Sequence, residues 1–209
     1  MKIVRKNNKY CTIKEENLNA TVIGNPTISD DYIVSNFSAS NKLGLPMTLD
    51  PTQPYDIQIK FKLNSSTDAD NRGLIGVTTS GIFCFWVGRN GTLSFNTSNT
   101  TSDWTISELS SSTVLSANTY YWGRAIFTGT KYELYLSTDS INWTLEDSVN
   151  SNIPANNGNP LTLYLGNMHS ANWYLKGSMD LKECYIKSNN TFLWQGVEIK
   201  YYGIGDTLS

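Results

Sequence analysis

Two short stretches of this chain set a large aromatic ring among small polar side chains. Residues 99–105 read NTTSDWT and place Trp104 beside Asp103. Residues 167–174 read NMHSANWY and place Trp173 beside Asn172, His169 and Asn167. A sugar presents flat C–H faces that pack on an aromatic ring, and hydroxyls that pair with amides, carboxylates and imidazoles. Asp103, Trp104, Asn167, His169, Asn172 and Trp173 are therefore candidate carbohydrate-binding residues. Tyr135, on the polar face of a predicted strand, is the seventh. Trp86, Trp122, Trp143 and Trp194 have apolar neighbours and are expected in the core.

Other chemistries find less support. A retaining glycosidase needs two carboxyl groups about 5–5.5 Å apart, and period-two spacing on one strand supplies that. Glu146 and Asp147 are adjacent, and Asp180 and Glu183 are three apart. On regular strands each pair faces opposite ways. His169 is the sole histidine, and no Gly-x-Ser-x-Gly elbow presents a nucleophile. The expectation is a protein that is not an enzyme. Asp68, Asp70 and Asn71 offer the hard oxygens that suit calcium, but the run lacks the length and closing glutamate of an EF-hand. A polar turn is the simpler reading, and no cofactor is called for, calcium being the one ion such a loop could hold. Cys11, Cys84 and Cys184 form no CxxC pair and leave one over, which predicts buried reduced thiols rather than a disulfide frame.

Composition narrows the partners. Charged residues are 16% of the 209, against roughly 25% in ordinary soluble domains, and the net charge is -2. With no basic stripe, nucleic acid is not an expected partner. No apolar run approaches the roughly 20 residues of a membrane span. The first residues, MKIVRKNNKYC, are basic without the apolar core of a secretion signal, so folding in a cytosol is expected.

The elements that would position these residues are strands. Residues 120–143 read as two strands joined at Thr128-Gly129-Thr130, with Tyr132, Leu134 and Leu136 on one face, then a polar loop closed by Trp143. Tyr55–Leu63 (YDIQIKFKL) alternates apolar and polar throughout, the pattern of a strand with one wet face. Arg89-Asn90-Gly91-Thr92 carries an Asn-Gly pair that predicts a type I′ turn. Residues 96–112 are poor in aliphatics and predict a long loop or an extra hairpin. Roughly a dozen short strands with frequent turn signals and no amphipathic helix predict an all-β, two-sheet antiparallel sandwich. Residues 1–20 form a leading strand or arm in this reading, and residues 21–209 the sandwich domain.

Several pieces resemble the concanavalin A-like lectin/glucanase superfamily in its laminin-G-like form. They are FSASNKLGLP, YDIQIKFKL, WGRAIFTGTKYELYLSTDSINW and YLKGSMDLKECYI followed by FLWQGV. The middle block matches through Tyr121 or Trp122, Arg124, Gly129, Tyr132, Leu134, Ser137, Asp139 and Trp143, with Ser140 where that group carries glycine. The resemblance implies a jelly roll, a fold used by lectins and by glucanases alike. In its Asn/Ser/Thr-rich style the chain also resembles virion proteins of tailed phages. That implies a virion surface protein made in the host cytoplasm, as a fibre or capsid-decoration module. Its expected partners are other virion structural proteins, bacterial surface glycan and further copies of itself. The alternatives are a purely structural capsid or tail attachment protein, docked through the N-terminal arm, and a divergent glycoside hydrolase or polysaccharide lyase.

Overall fold

Alternating burial along β-strands organises the molecule. The computed structural model describes residues 2–6, 9–13, 20–24, 27–29, 32–35, 42–65, 71–78, 82–100, 105–168, 179–197 and 200–202. In chain order the strands are β1 (Lys2–Lys6), β2 (Lys9–Ile13), β3 (Thr21–Ile23), β4 (Thr27–Ser29), β5 (Tyr32–Ser35), β6 (Lys42–Leu49), β7 (Tyr55–Leu63), β8 (Arg72–Gly76), β9 (Phe83–Val87), β10 (Thr92–Thr97), β11 (Ser107–Val114), β12 (Tyr120–Phe127), β13 (Lys131–Ser137), β14 (Thr144–Asn150), β15 (Leu161–Leu165), β16 (Met179–Ser188), β17 (Thr191–Val197) and β18 (Lys200–Tyr202). A seven-stranded sheet runs β11-β10-β9-β8-β15-β6-β3. An eight-stranded sheet runs β14-β13-β12-β7-β16-β5-β4, with β17 also paired to β16. The two large sheets form an antiparallel β-sandwich of the jelly-roll type. The strands of residues 1–20 sit apart from it in sequence order: β1 and β2 pair with each other, and β18 adds to β2 in a third sheet.

β7 shows why the sheets stack. Every second residue, from Tyr55 through Ile57, Ile59 and Phe61 to Leu63, is buried, and the residues between are half-buried. The buried row meets aromatic rings from the other sheet. Tyr55 lies 6.1 Å from Phe83, and Phe95 lies 6.2 Å from Tyr132. Burying one such ring contributes about 1.5–3 kcal/mol. The sheets approach closely at Gly123, where a Cβ would stand 2.8 Å from Phe85 Cζ and 3.0 Å from Leu93 Cδ2. Both neighbours are fully buried, so neither has room to retreat.

The predicted hairpin is β12–β13, with Gly129 at φ 96° in its turn and Tyr132, Leu134 and Leu136 facing the core. One local prediction needs correcting. The turn after β9 is not type I′, because only Gly91 has a positive φ. Gly88 closes on Thr92 through a 2.8 Å backbone bond, and Gly91 N–H donates to Gly88 C=O, which is a type I turn followed by one left-handed glycine. Of the two readings for residues 96–112 the extra hairpin holds: β10 and β11 pair antiparallel, and Ser107, Leu109 and Ser111 face inward, so serine fills inward positions that pattern reading reserves for aliphatics. Residues 144–150 form the edge strand β14. Cys84 and Cys184 are buried free thiols whose pKa burial raises; the Cys11 side chain lies outside those described.

Candidate functional site

Five of the seven predicted sugar-binding residues, Asp103, Trp104, His169, Asn172 and Trp173, lie outside the described residues, as do Asp68 and Asp70. Asn167 is only 1% exposed, and its Nδ2 donates to Val77 C=O at 2.6 Å. The backbone at Asn167 and Met168 runs over β8 at Gly73 and Gly76, where a Cβ on either glycine would collide with it. Asn167 thus fastens the end of β15 to β8 instead of standing in an open loop.

Tyr135 does occupy the outer face of the eight-stranded sheet, half-buried, with its hydroxyl donating to Glu133 Oε2 at 2.9 Å. Beside it Arg124 donates from Nε and from its terminal nitrogen to the two oxygens of Asp56, at 3.0 and 2.8 Å. The guanidinium lies 5.8 Å from the Tyr135 ring and 5.4 Å from the Trp143 ring. Hydrogen bonding to Asp56 raises the Arg124 pKa further above its ordinary value. Trp143 therefore belongs to an outer face. So does Trp122, which is 6% exposed because it stacks on Tyr185 at 5.8 Å. Of the four tryptophans predicted for the core, Trp194 is the one that joins the core cluster.

Trp86 departs from prediction in a way that matters more. In β9, Phe83, Phe85 and Val87 face inward, so period two turns Trp86 outward, where it is half-buried. Its Nε1–H donates to Asn96 Oδ1 at 2.8 Å. Register places Trp86 beside Ser94 and Ser94 beside Ser110, while Asn96 stands beside Glu108. The two serine hydroxyls are 3.2 Å apart. Together with Arg89, Asn90 and Thr92 from the neighbouring turn, these residues line an open cleft of about 460 Å³. The indole is held at a fixed angle, and the groups around it are short donors and acceptors. This cleft was legible in the phase of FCFWV, which puts Trp86 opposite to its apolar neighbours.

Both carboxylate pairs depart from regular strand geometry. Pairing of β13 with β14 shifts between Leu134 and Tyr135, leaving Glu146 as an extra residue in a β-bulge. Glu146 and Asp147 consequently both reach the same neighbour, β11: Asp147 Oδ2 accepts from Ser110 N–H at 3.1 Å, and Glu146 Oε2 from Ser112 N–H at 3.0 Å. A second bulge, between Leu181 and Glu183, brings Asp180 and Glu183 to one face. There each forms an ion pair at 3.1 Å, with Lys62 and Lys60 respectively. Among the described residues no group of His, Cys, Asp and Glu is assembled to hold a metal ion, and no helix is long and apolar enough to cross a membrane.

No protein-family model matches the sequence, and no curated protein matches it either. Solved structures do share the fold. The exoplasmic/lumenal domain of VIP36 in its Ca2+/Man-bound form superposes with a TM-score of 0.55 at 9% identity, over 91% of each chain. The binding domain of botulinum neurotoxin DC, solved with rat synaptotagmin II, gives 0.56 at 11% identity, over 89% of this chain and 46% of the toxin chain. Trypanosoma rangeli sialidase gives 0.58 at 9% identity, over 85% of this chain and 28% of the enzyme. This chain therefore spans less than half of the toxin and sialidase chains. The shared feature is the jelly-roll β-sandwich.

Proposed function

We propose that this protein is a non-catalytic carbohydrate-binding jelly roll whose ligand seats on Trp86. The observation that carries the reading is the indole fixed by Asn96 in a cleft of serine, asparagine, threonine and glutamate side chains. A sugar ring lying on the indole would find donors and acceptors at Asn90, Ser110 and Glu108. The fold shared with the VIP36 domain, solved in a Man-bound form, supports this assignment. Its non-catalytic character is supported by the engagement of Glu146 and Asp147 with backbone N–H groups, and of Asp180 and Glu183 with lysines. In its biological setting we place the protein on a virion surface, as a fibre or capsid-decoration module that reads bacterial surface glycan. The Asn/Ser/Thr-rich sequence supports that setting.

The test is retention on a panel of immobilised bacterial polysaccharides. Wild type should be retained by at least one, and Trp86→Ala should weaken that retention about tenfold, equivalent to roughly 1.4 kcal/mol. The variant should remain folded at the assay temperature, as circular dichroism reports. Absence of retention across the panel, or equal retention of the variant, sinks the reading. Release of new reducing ends from the same polysaccharides would overturn its non-catalytic part. Failure of the protein to co-purify with assembled particles would remove the virion setting.

A further inference from the structure

The outer face of the eight-stranded sheet, on the opposite side of the sandwich from Trp86, carries a separate arrangement. Register sets Tyr120 beside Lys62 and Lys62 beside Asp180, then Trp122 beside Lys60 and Lys60 beside Glu183. The bulge in β16 falls between these two rungs and makes Lys182 the extra residue. A bulge breaks strict alternation and re-aims a side chain. Here it delivers a third ammonium to a face that already holds two. Nζ of Lys60, Lys62 and Lys182 stand 5.7, 5.3 and 5.4 Å from the centre of the Tyr120 ring.

Glu183 pairs with Lys60 and Asp180 with Lys62. Among the described residues Lys182 forms no ion pair, and its ammonium lies against the Tyr120 ring. A ring face attracts cations and holds them together without neutralising them. Next to it runs an aromatic strip. Trp122 and Tyr185 stack with planes 23° apart, Tyr185 lies 6.3 Å from Phe192, and Phe192 is 52% exposed. Lys187 sits 4.6 Å from the Phe192 ring.

We propose that this face binds a linear anionic polysaccharide, with the carboxylate of one uronic-acid unit on Lys182 and neighbouring sugar faces along the Tyr185–Phe192 strip. Solvated ion pairs alone would need neither an unmatched third lysine nor a bulge in the middle of a sheet to supply it. Alternating flat C–H faces and carboxylates match alternating rings and ammonium groups. The site shares no residue with the Trp86 cleft and does not rest on it.

A galacturonate hexamer is the probe, with maltohexaose as its neutral counterpart, titrated calorimetrically at low salt. The hexamer should bind wild type, and maltohexaose should bind at least tenfold more weakly. Lys182→Gln should lose about tenfold, the order of one charge-assisted contact. Lys182→Arg should stay within about threefold of wild type. Trp86→Ala should bind the hexamer as wild type does, which separates this face from the other cleft. Thermal unfolding of Lys182→Gln reports its folding, and Lys182→Arg keeps the test decisive should that variant be unstable. Absence of hexamer binding, equal binding of maltohexaose, or an unaffected Lys182→Gln overturns the proposal. Binding of a thymidine hexanucleotide as tight as that of the hexamer overturns its assignment to saccharide.

Discussion

Glu146 on β14 reaches across the edge of the sandwich to Thr113 on β11, accepting its backbone N–H at 3.1 Å and its hydroxyl at 2.8 Å. The same carboxylate takes the Ser112 N–H and hydroxyl at 3.0 and 3.1 Å. These two strands are the last of their respective sheets, so one side chain ties the two sheets together along their open side. Glu146→Ala should destabilise the protein by about 1–2 kcal/mol, the net worth of a small set of hydrogen bonds on an exposed edge. Glu146→Gln should recover part of that, because an amide oxygen still accepts. Urea unfolding measures both. An unchanged midpoint for Glu146→Ala would show that the edge does not depend on this carboxylate.

Ser140 occupies the left-handed region at φ 63°, the position where the resembling family carries glycine. A non-glycine residue there costs roughly 1–2 kcal/mol, against which glycine loses some unfolded-chain entropy. Ser140→Gly should therefore raise stability by up to about 1 kcal/mol, and Ser140→Val should lower it. Differential scanning calorimetry on the pair decides the sign.

Asp139 anchors the same loop. Its Oδ1 accepts from Ile141 N–H at 2.9 Å and Asn142 N–H at 2.8 Å, and Oδ2 accepts from the Asn142 amide at 2.7 Å. Backbone bonding to Asn142, followed by the Asn142 side chain and Ile141 N–H, pulls its pKa well below the ordinary carboxylate value. A depressed folded pKa means that this contribution is complete above the unfolded value, about pH 4, and is lost as pH falls through the lower folded value. Trp143 donates from Nε1 to Ser140 C=O at 3.1 Å, so its fluorescence reports the loop. Emission should hold constant from pH 7 to about pH 4 and change below it. Asp139→Asn should show the low-pH signal at neutral pH; a variant with the wild-type profile would dissociate the loop from this carboxylate.

At Gly123 the two sheets approach closely. Gly123→Ala forces Phe85 or Leu93 to move within a packed core, at a cost of about 1–3 kcal/mol. Gly123→Ala combined with Leu93→Ala should be less destabilised than the sum of the single variants, since the second change opens room for the added methyl. Strict additivity in urea unfolding would place the strain elsewhere.

The sequence carried the sandwich plainly where alternation was strict. YDIQIKFKL names its own buried face, and the β12–β13 hairpin follows from Thr-Gly-Thr between two alternating runs. Legibility failed where a strand broke period two. Nothing in LKECY announces that Lys182 is an added residue, and nothing in LEDSV announces that Glu146 is another. Each bulge is fixed by the partner strand, which a local reading does not see. Composition misled in β11, where serine fills inward positions usually held by aliphatics. Trp86 was legible but outweighed: four apolar neighbours suggested core, while its phase in the strand pointed outward. Asn167 looked like an open loop residue because the glycines that receive its backbone, Gly73 and Gly76, lie some ninety positions earlier.

The Trp86 cleft and the Tyr120 cluster lie on opposite outer faces of a single sandwich, with the whole core between them. With both proposed sites pointing away from each other, one chain would be bivalent. Such a chain cannot wrap both faces around one short saccharide, but it can hold two separate strands of a polymer at once. Its natural product would be a cross-linked network, densest when protein and polymer are in balance and dissolving when either is in excess, with avidity that arises without self-association.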